Sequence, residues 1–130
     1  MSHALSVGIM QPENAVAILK GSSRTYEIRV QDEHCEPVNL TGCTMYFTVK
    51  ENQSDIAPYI QKTSLNALEI EFTDALGGVA RVYLNPADTF NAKVKPYCFD
   101  VWLILTTGKR YVIVTPSIFD IQAAVTVIPI

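Results

Sequence analysis

The chain has 130 residues, of which 48% are hydrophobic and 18% charged, with 10 Lys and Arg against 13 Asp and Glu for a net charge of -3. This length fits a single domain able to bury about two-thirds of its unfolded surface, and the apolar content excludes a disordered chain. The slightly acidic balance excludes nucleic-acid binding driven by counterion release, which needs clustered Lys and Arg, while a charged fraction below the usual ~25% implies a surface partly covered by a partner.

Residues 1–13 hold Gly8, Pro12 and several small or polar residues, without strand alternation. They read as an extended arm ahead of a single domain over 14–130. The arm is expected to be disordered in an isolated chain and to be ordered by a neighbouring subunit that buries Met1, Leu5, Val7, Ile9 and Met10 or pairs the arm to a strand edge. No basic leader precedes Lys20, and the apolar stretch from Ala15 to Leu19 is too short for a signal peptide. Secretion and membrane insertion are not expected.

Side chains of a strand alternate between faces, and several segments do so. Tyr26, Ile28 and Val30 oppose Glu27, Arg29 and Gln31; Cys43, Met45, Phe47 and Val49 oppose Thr44, Tyr46, Thr48 and Lys50. Leu68, Ile70 and Phe72 alternate with Glu69 and Glu71. After Gly77-Gly78, suited to a primed two-residue hairpin turn, Ala80, Val82 and Leu84 oppose Arg81 and Tyr83. Asn85-Pro86 reads as the N-cap and first residue of one helical turn. Further strands are predicted over 97–106, 110–115 and 121–128.

The fold class is therefore all-β: an antiparallel two-sheet sandwich of about eight or nine strands with at most one short helical turn, a closed barrel being the alternative. The predicted core is Met45, Phe47, Leu68, Ile70, Phe72, Val82, Leu84, Phe99 and Val101, with Leu40 near a sandwich end. The segment from Tyr97 to Leu105 is apolar on both faces. The outer faces of antiparallel sheets are ordinarily polar, so Trp102, Ile104, Tyr111 and Ile113 are candidate interface residues, covered by the arm or by another chain.

Residue types with catalytic chemistry are sparse. His3 falls in the arm and His34 in a turn, so neither forms a Ser-His-Asp or Cys-His arrangement. Cys35, Cys43 and Cys98 are odd in number and widely spaced, which favours reduced thiols, Cys43 and Cys98 as core hydrophobes, over a disulfide framework or zinc site. Asp32, Glu33 and Glu36 lack calcium-loop spacing and read as a solvated turn. No catalytic residue, metal or cofactor is expected.

The order of the pieces resembles the immunoglobulin-like modules of bacteriophage baseplate and tail proteins. The segments that carry the likeness are Lys20 to Val30; the corner Asn39-Leu40-Thr41-Gly42 leading into Cys43 to Lys50; Gly78 to Leu84 followed by Pro86-Ala87-Asp88-Thr89; and Tyr97 to Trp102 with Gly108-Lys109-Arg110. The resemblance spans about residues 18–127. It implies an immunoglobulin-like sandwich and a non-enzymatic virion structural protein that docks on neighbouring virion proteins, as a homo-oligomer in a symmetric assembly put together in the host bacterial cytoplasm. Nucleic acid and membrane are not among the implied partners. Tail, baseplate and neck are the implied positions; capsid decoration and a carbohydrate-binding or adhesion module, with Tyr59 and Tyr83 as its candidate aromatics, are the alternatives.

Overall fold

A computed structural model describes residues 5–9 (as backbone), 16–126 and 128. Within them the order is β1 (Leu5–Ile9), β2 (Val16–Leu19), β3 (Arg24–Asp32), β4 (Thr44–Lys50), β5 (Ile60–Thr63), β6 (Ile70–Asp74), β7 (Val79–Leu84), α1 (Pro86–Thr89), β8 (Lys95–Ile104) and β9 (Arg110–Gln122). Two sheets form, a four-stranded one in the order β1-β3-β7-β6 and a five-stranded one in the order β2-β9-β8-β4-β5. All pairings are antiparallel except that of β2 with β9. The all-β sandwich expected from the alternation is thus the architecture of the chain.

The alternating residues of β3, β4, β7 and β8 supply the core. Met45, Phe47, Ile70, Val82, Leu84, Phe99 and Val101 are buried, as is Leu40 at the sandwich end. Leu40 is fixed by its N–H, which donates to the Ala75 carbonyl at 2.8 Å. The polar bond of that corner comes from Asn39 Oδ1, which accepts the Thr41 N–H at 3.0 Å, while Gly42 takes the left-handed φ of 78°. At α1 the Asn85 N–H donates to Asp88 Oδ2 at 2.7 Å, and the buried Thr89 hydroxyl oxygen accepts the Gly21 N–H at 2.9 Å. This ties the β2–β3 turn to the β7–β8 connection.

Five expectations are corrected. The segment 1–13 is not strand-free: Leu5–Ile9 pairs with β3, Val7 opposite Val30. Leu68 is 81% exposed, because the Asn66 side chain accepts the Leu68 N–H at 3.0 Å and holds that segment in a turn until Ile70. Phe72 is only half-buried, beside a register shift in β6, an edge strand. Gly77-Gly78 is not a two-residue turn, since Asp74 pairs with Val79 across the four residues between them. Of the two glycines Gly78 takes the positive φ, 72°, and a Cβ there would stand 2.5 Å from the Val30 carbonyl oxygen. Finally, 110–115 and 121–128 are not separate strands: β9 runs 13 residues from Arg110 to Gln122 and stops there.

The two sheets are also joined by a side chain. The Tyr26 hydroxyl on β3 donates to the Ala17 carbonyl on β2 at 2.9 Å, and burial pushes the phenol up to about 12, with the nearby Arg24 guanidinium pulling the other way. The neutral phenol is the form the fold favours, so its contribution is complete below the unfolded value of about 10 and is lost as pH rises to the folded value. In alkaline unfolding titrations, wild-type stability is expected to fall between about pH 10 and 12 relative to Tyr26→Phe. A constant difference between the two proteins across that window would contradict it.

Candidate docking face

The two outer faces of the sandwich differ in chemistry. On the four-stranded sheet the outward side chains satisfy one another: Glu27 pairs with Arg29 at 3.4 Å and with Arg81 at 3.9 Å, and the Tyr83 hydroxyl donates to Glu71 at 2.6 Å. That bond raises the Tyr83 phenol above its ordinary value. The face is a hydrated charge ladder.

The outer face of the five-stranded sheet carries an apolar row instead. Trp102 on β8 lies opposite Tyr46 on β4 and Val112 on β9, with Trp102 38% and Val112 40% exposed. The Trp102 indole N–H donates to Asp100 Oδ2 at 3.0 Å, which fixes the ring along the strand. Ile104, half-buried, extends the row, and further along β9 Ile118 is 55% exposed. Leu19 on the adjacent β2 is also exposed.

Of the residues proposed from the sequence, Trp102 and Ile104 stand on this face. Tyr111 and Ile113 do not. Tyr111 lies opposite the buried Leu103 and packs against the core, and Ile113 is buried next to buried Val114. The physical reason is a β-bulge: Val101 pairs with Val114 but Trp102 with Val112, so Ile113 is an extra residue and the alternation slips. Val112 and Ile118 are the outward residues that the sequence reading missed. Leu5, Val7 and Ile9 belong to β1 at the edge of the opposite sheet, and Met1 and Met10 lie outside the described residues.

The groups with chemical potential are dispersed. Among the described residues no three His, Cys, Asp or Glu gather as metal ligands. His34 is exposed beside Glu33 at 3.5 Å. Cys43 and Cys98 are half-buried rather than core residues; Cys43 sits under the corner with its thiol pushed up by burial, and the Cys98 Sγ contacts the Lys50 carbonyl at 3.4 Å. Tyr59 stacks obliquely on Tyr97, their centroids 5.3 Å apart.

No protein-family model and no curated protein matches the chain. Solved structures do. A chain of the structure described as "Structural basis of T cell specificity and activation by the bacterial superantigen toxic shock syndrome toxin-1" aligns with a TM-score of 0.52 and 10% identity, over 93% of this chain and 100% of that one. A chimeric titin Z1Z2 aligns at 0.47 and 14% identity over 95% and 100%, and murine CRIg at 0.45 and 12% over 91% and 98%. The strand order is itself diagnostic. Taken in turn, β1-β3-β7-β6 is the A-B-E-D sheet of an immunoglobulin domain, and β9-β8-β4-β5 is G-F-C-C′. The Tyr97 hydroxyl oxygen accepts the Lys93 N–H at 3.1 Å near the start of β8, the tyrosine corner of that architecture. By strand order and corner, the chain has an immunoglobulin-like β-sandwich fold.

Proposed function

We propose that this chain is a non-enzymatic docking module of a bacteriophage virion, packed through the outer face of its five-stranded sheet against neighbouring subunits in the tail, baseplate or neck. The observation that carries the docking reading is the row Tyr46, Trp102 and Val112 on a face that would ordinarily be polar. Its contrast with the self-paired ladder on the other sheet gives the module one adhesive side and one hydrated side. The virion assignment draws its support from the four sequence segments that resemble phage modules.

Two measurements test it. Quantitative mass spectrometry of purified particles should find the chain at a low symmetric copy number. A number near that of the major capsid protein would favour capsid decoration, and absence from particles would overturn the virion assignment. The paired change Trp102→Ser and Val112→Thr should leave stability within about 1 kcal/mol, as for surface substitutions, while incorporation into particles falls sharply. Undiminished incorporation of that variant would overturn the assignment of the face.

A further inference from the structure

On the same face, beginning one outward pair along β4 and β8 from Tyr46 and Trp102, lies a groove of about 280 Å³, just below the range of about 300–1,000 Å³ usual for small-molecule sites. Its floor is β4 and β8, where Thr48 stands opposite Asp100 and Lys50 opposite Cys98. One wall is the β4–β5 connection with Ile56 and Pro58, continued by Gln61 on β5. The other is Pro116, lifted by the second register shift of β9, where Phe99 pairs with Ser117 but Val101 with Val114. Proline lacks the N–H a ladder needs and is tolerated at such a bulge.

Across the floor runs a polar row of three strands. Gln61 is opposite Thr48, and Thr48 is opposite Asp100, a span of about 10 Å at the usual strand spacing. These groups are held in place beforehand: the Gln61 amide donates to the Thr48 hydroxyl at 3.3 Å, and the Trp102 indole donates to Asp100 at 3.0 Å. The row offers an amide that both gives and accepts, a hydroxyl and an accepting carboxylate. The Lys50 side chain adds a donor and makes no ion pair among the described residues.

This chemistry selects a class of ligand. A bare anion would meet Asp100, and a cation would meet Lys50. An apolar partner would strip water from both charges without replacing it. A peptide adding as a strand needs a free backbone edge, whereas β4 and β8 are already paired on both sides and the free edge of β5 lies beyond Gln61, outside the floor. A neutral polyhydroxyl ring fits all of it, because each hydroxyl donates and accepts, and its C–H face has apolar surface to meet at Ile56, which is 98% exposed at the lip. We propose that the groove between the β4–β5 connection and Pro116 binds a neutral pyranose unit, with Gln61, Thr48, Asp100 and Lys50 as its hydrogen-bonding groups. The site touches the docking row only through the Trp102–Asp100 hydrogen bond and draws none of its four groups from that row, so failure of the docking test leaves it standing.

The test is NMR titration of the full chain with the methyl glycosides of glucose, galactose and N-acetylglucosamine and with cellobiose, maltose and N,N′-diacetylchitobiose. At least one probe should shift the resonances of Thr48, Lys50, Gln61 and Asp100 selectively. Either sugar size supports the site, and a stronger disaccharide response marks a polymeric glycan rather than a free sugar as the source. Gln61→Ala and Asp100→Asn should each weaken binding about tenfold, the loss expected for one hydrogen bond to a charged or oriented group, with Arg81→Ala on the opposite sheet unchanged and the spectra reporting that each variant is folded. The proposal is overturned by the absence of groove shifts with every probe, by binding indifferent to both groove variants, or by groove shifts with a peptide of residues 121–130 in place of the sugars.

Discussion

Replacing Phe47 with Ala is expected to cost about 3–5 kcal/mol, and replacing Phe99 a similar amount, the range for truncating a buried aromatic. The two rings are 5.2 Å apart centre to centre, and each lies 6.1 Å from the ring of Phe119 in an edge-on arrangement. They come from β4, β8 and β9, all three are buried, and such ring pairs add about 0.5–1.5 kcal/mol beyond area burial. Phe99 stands two residues after the corner tyrosine Tyr97, where an antibody domain carries the second cysteine of its inter-sheet disulfide. The cysteines here are free. Packing at the centre of the sandwich therefore carries the stabilisation that a covalent link supplies in those domains. Against a total stability of about 5–15 kcal/mol, either truncation should move the urea midpoint far down with an unchanged slope. A loss under about 1 kcal/mol would show that the three rings are not the centre of the core.

Three strands were legible in the sequence by having one apolar and one polar face, β3, β4 and β7, whose alternation burial then uses, and β8 was legible as a largely apolar ten-residue run. The missed strands, β1, β2 and β5, are edges of four or five residues, too short for a period to emerge. β5 is further disguised because one of its two buried residues is Lys62. Leu68 misled for the opposite reason: it continues the alternation of β6 in sequence, but the Asn66 turn ends that period before it.

The docking face was half legible. β8 announces itself by having apolar residues on both faces, and Trp102 and Ile104 follow from that. On β9 the same counting put Tyr111 and Ile113 outside because a bulge adds one residue and inverts the faces beyond it. Pro116 within the strand was the available signal of such irregularity. The groove had none. Its row is assembled from Gln61, Thr48 and Asp100, and only the register of three strands, which no local pattern encodes, brings them side by side.

Lys62 carries the second large effect. Its ammonium is 2.8 Å from Asp88 Oδ2 in a side chain that is 8% exposed, and the same carboxylate oxygen accepts the Asn85 N–H at the start of α1. Asp88→Ala would leave a buried cation without its partner and is expected to cost about 3–5 kcal/mol, with about 1 kcal/mol more from the lost cap. The double change Lys62→Met with Asp88→Asn removes both charges while keeping the volume of each side chain, and replacing a buried pair in this way is often neutral or stabilising. The pair is therefore not retained for its energy. β5 is a four-residue edge, and a charge pointing inward from an edge strand prevents it from pairing with the edge of another sheet. Denaturant melts should rank Asp88→Ala far below the wild type and the double variant close to it, while light scattering should show the double variant associating at concentrations where the wild type is monodisperse. A cost under about 1 kcal/mol for Asp88→Ala would remove the ion pair from the account, and a double variant that stays as monodisperse as the wild type would remove the edge protection.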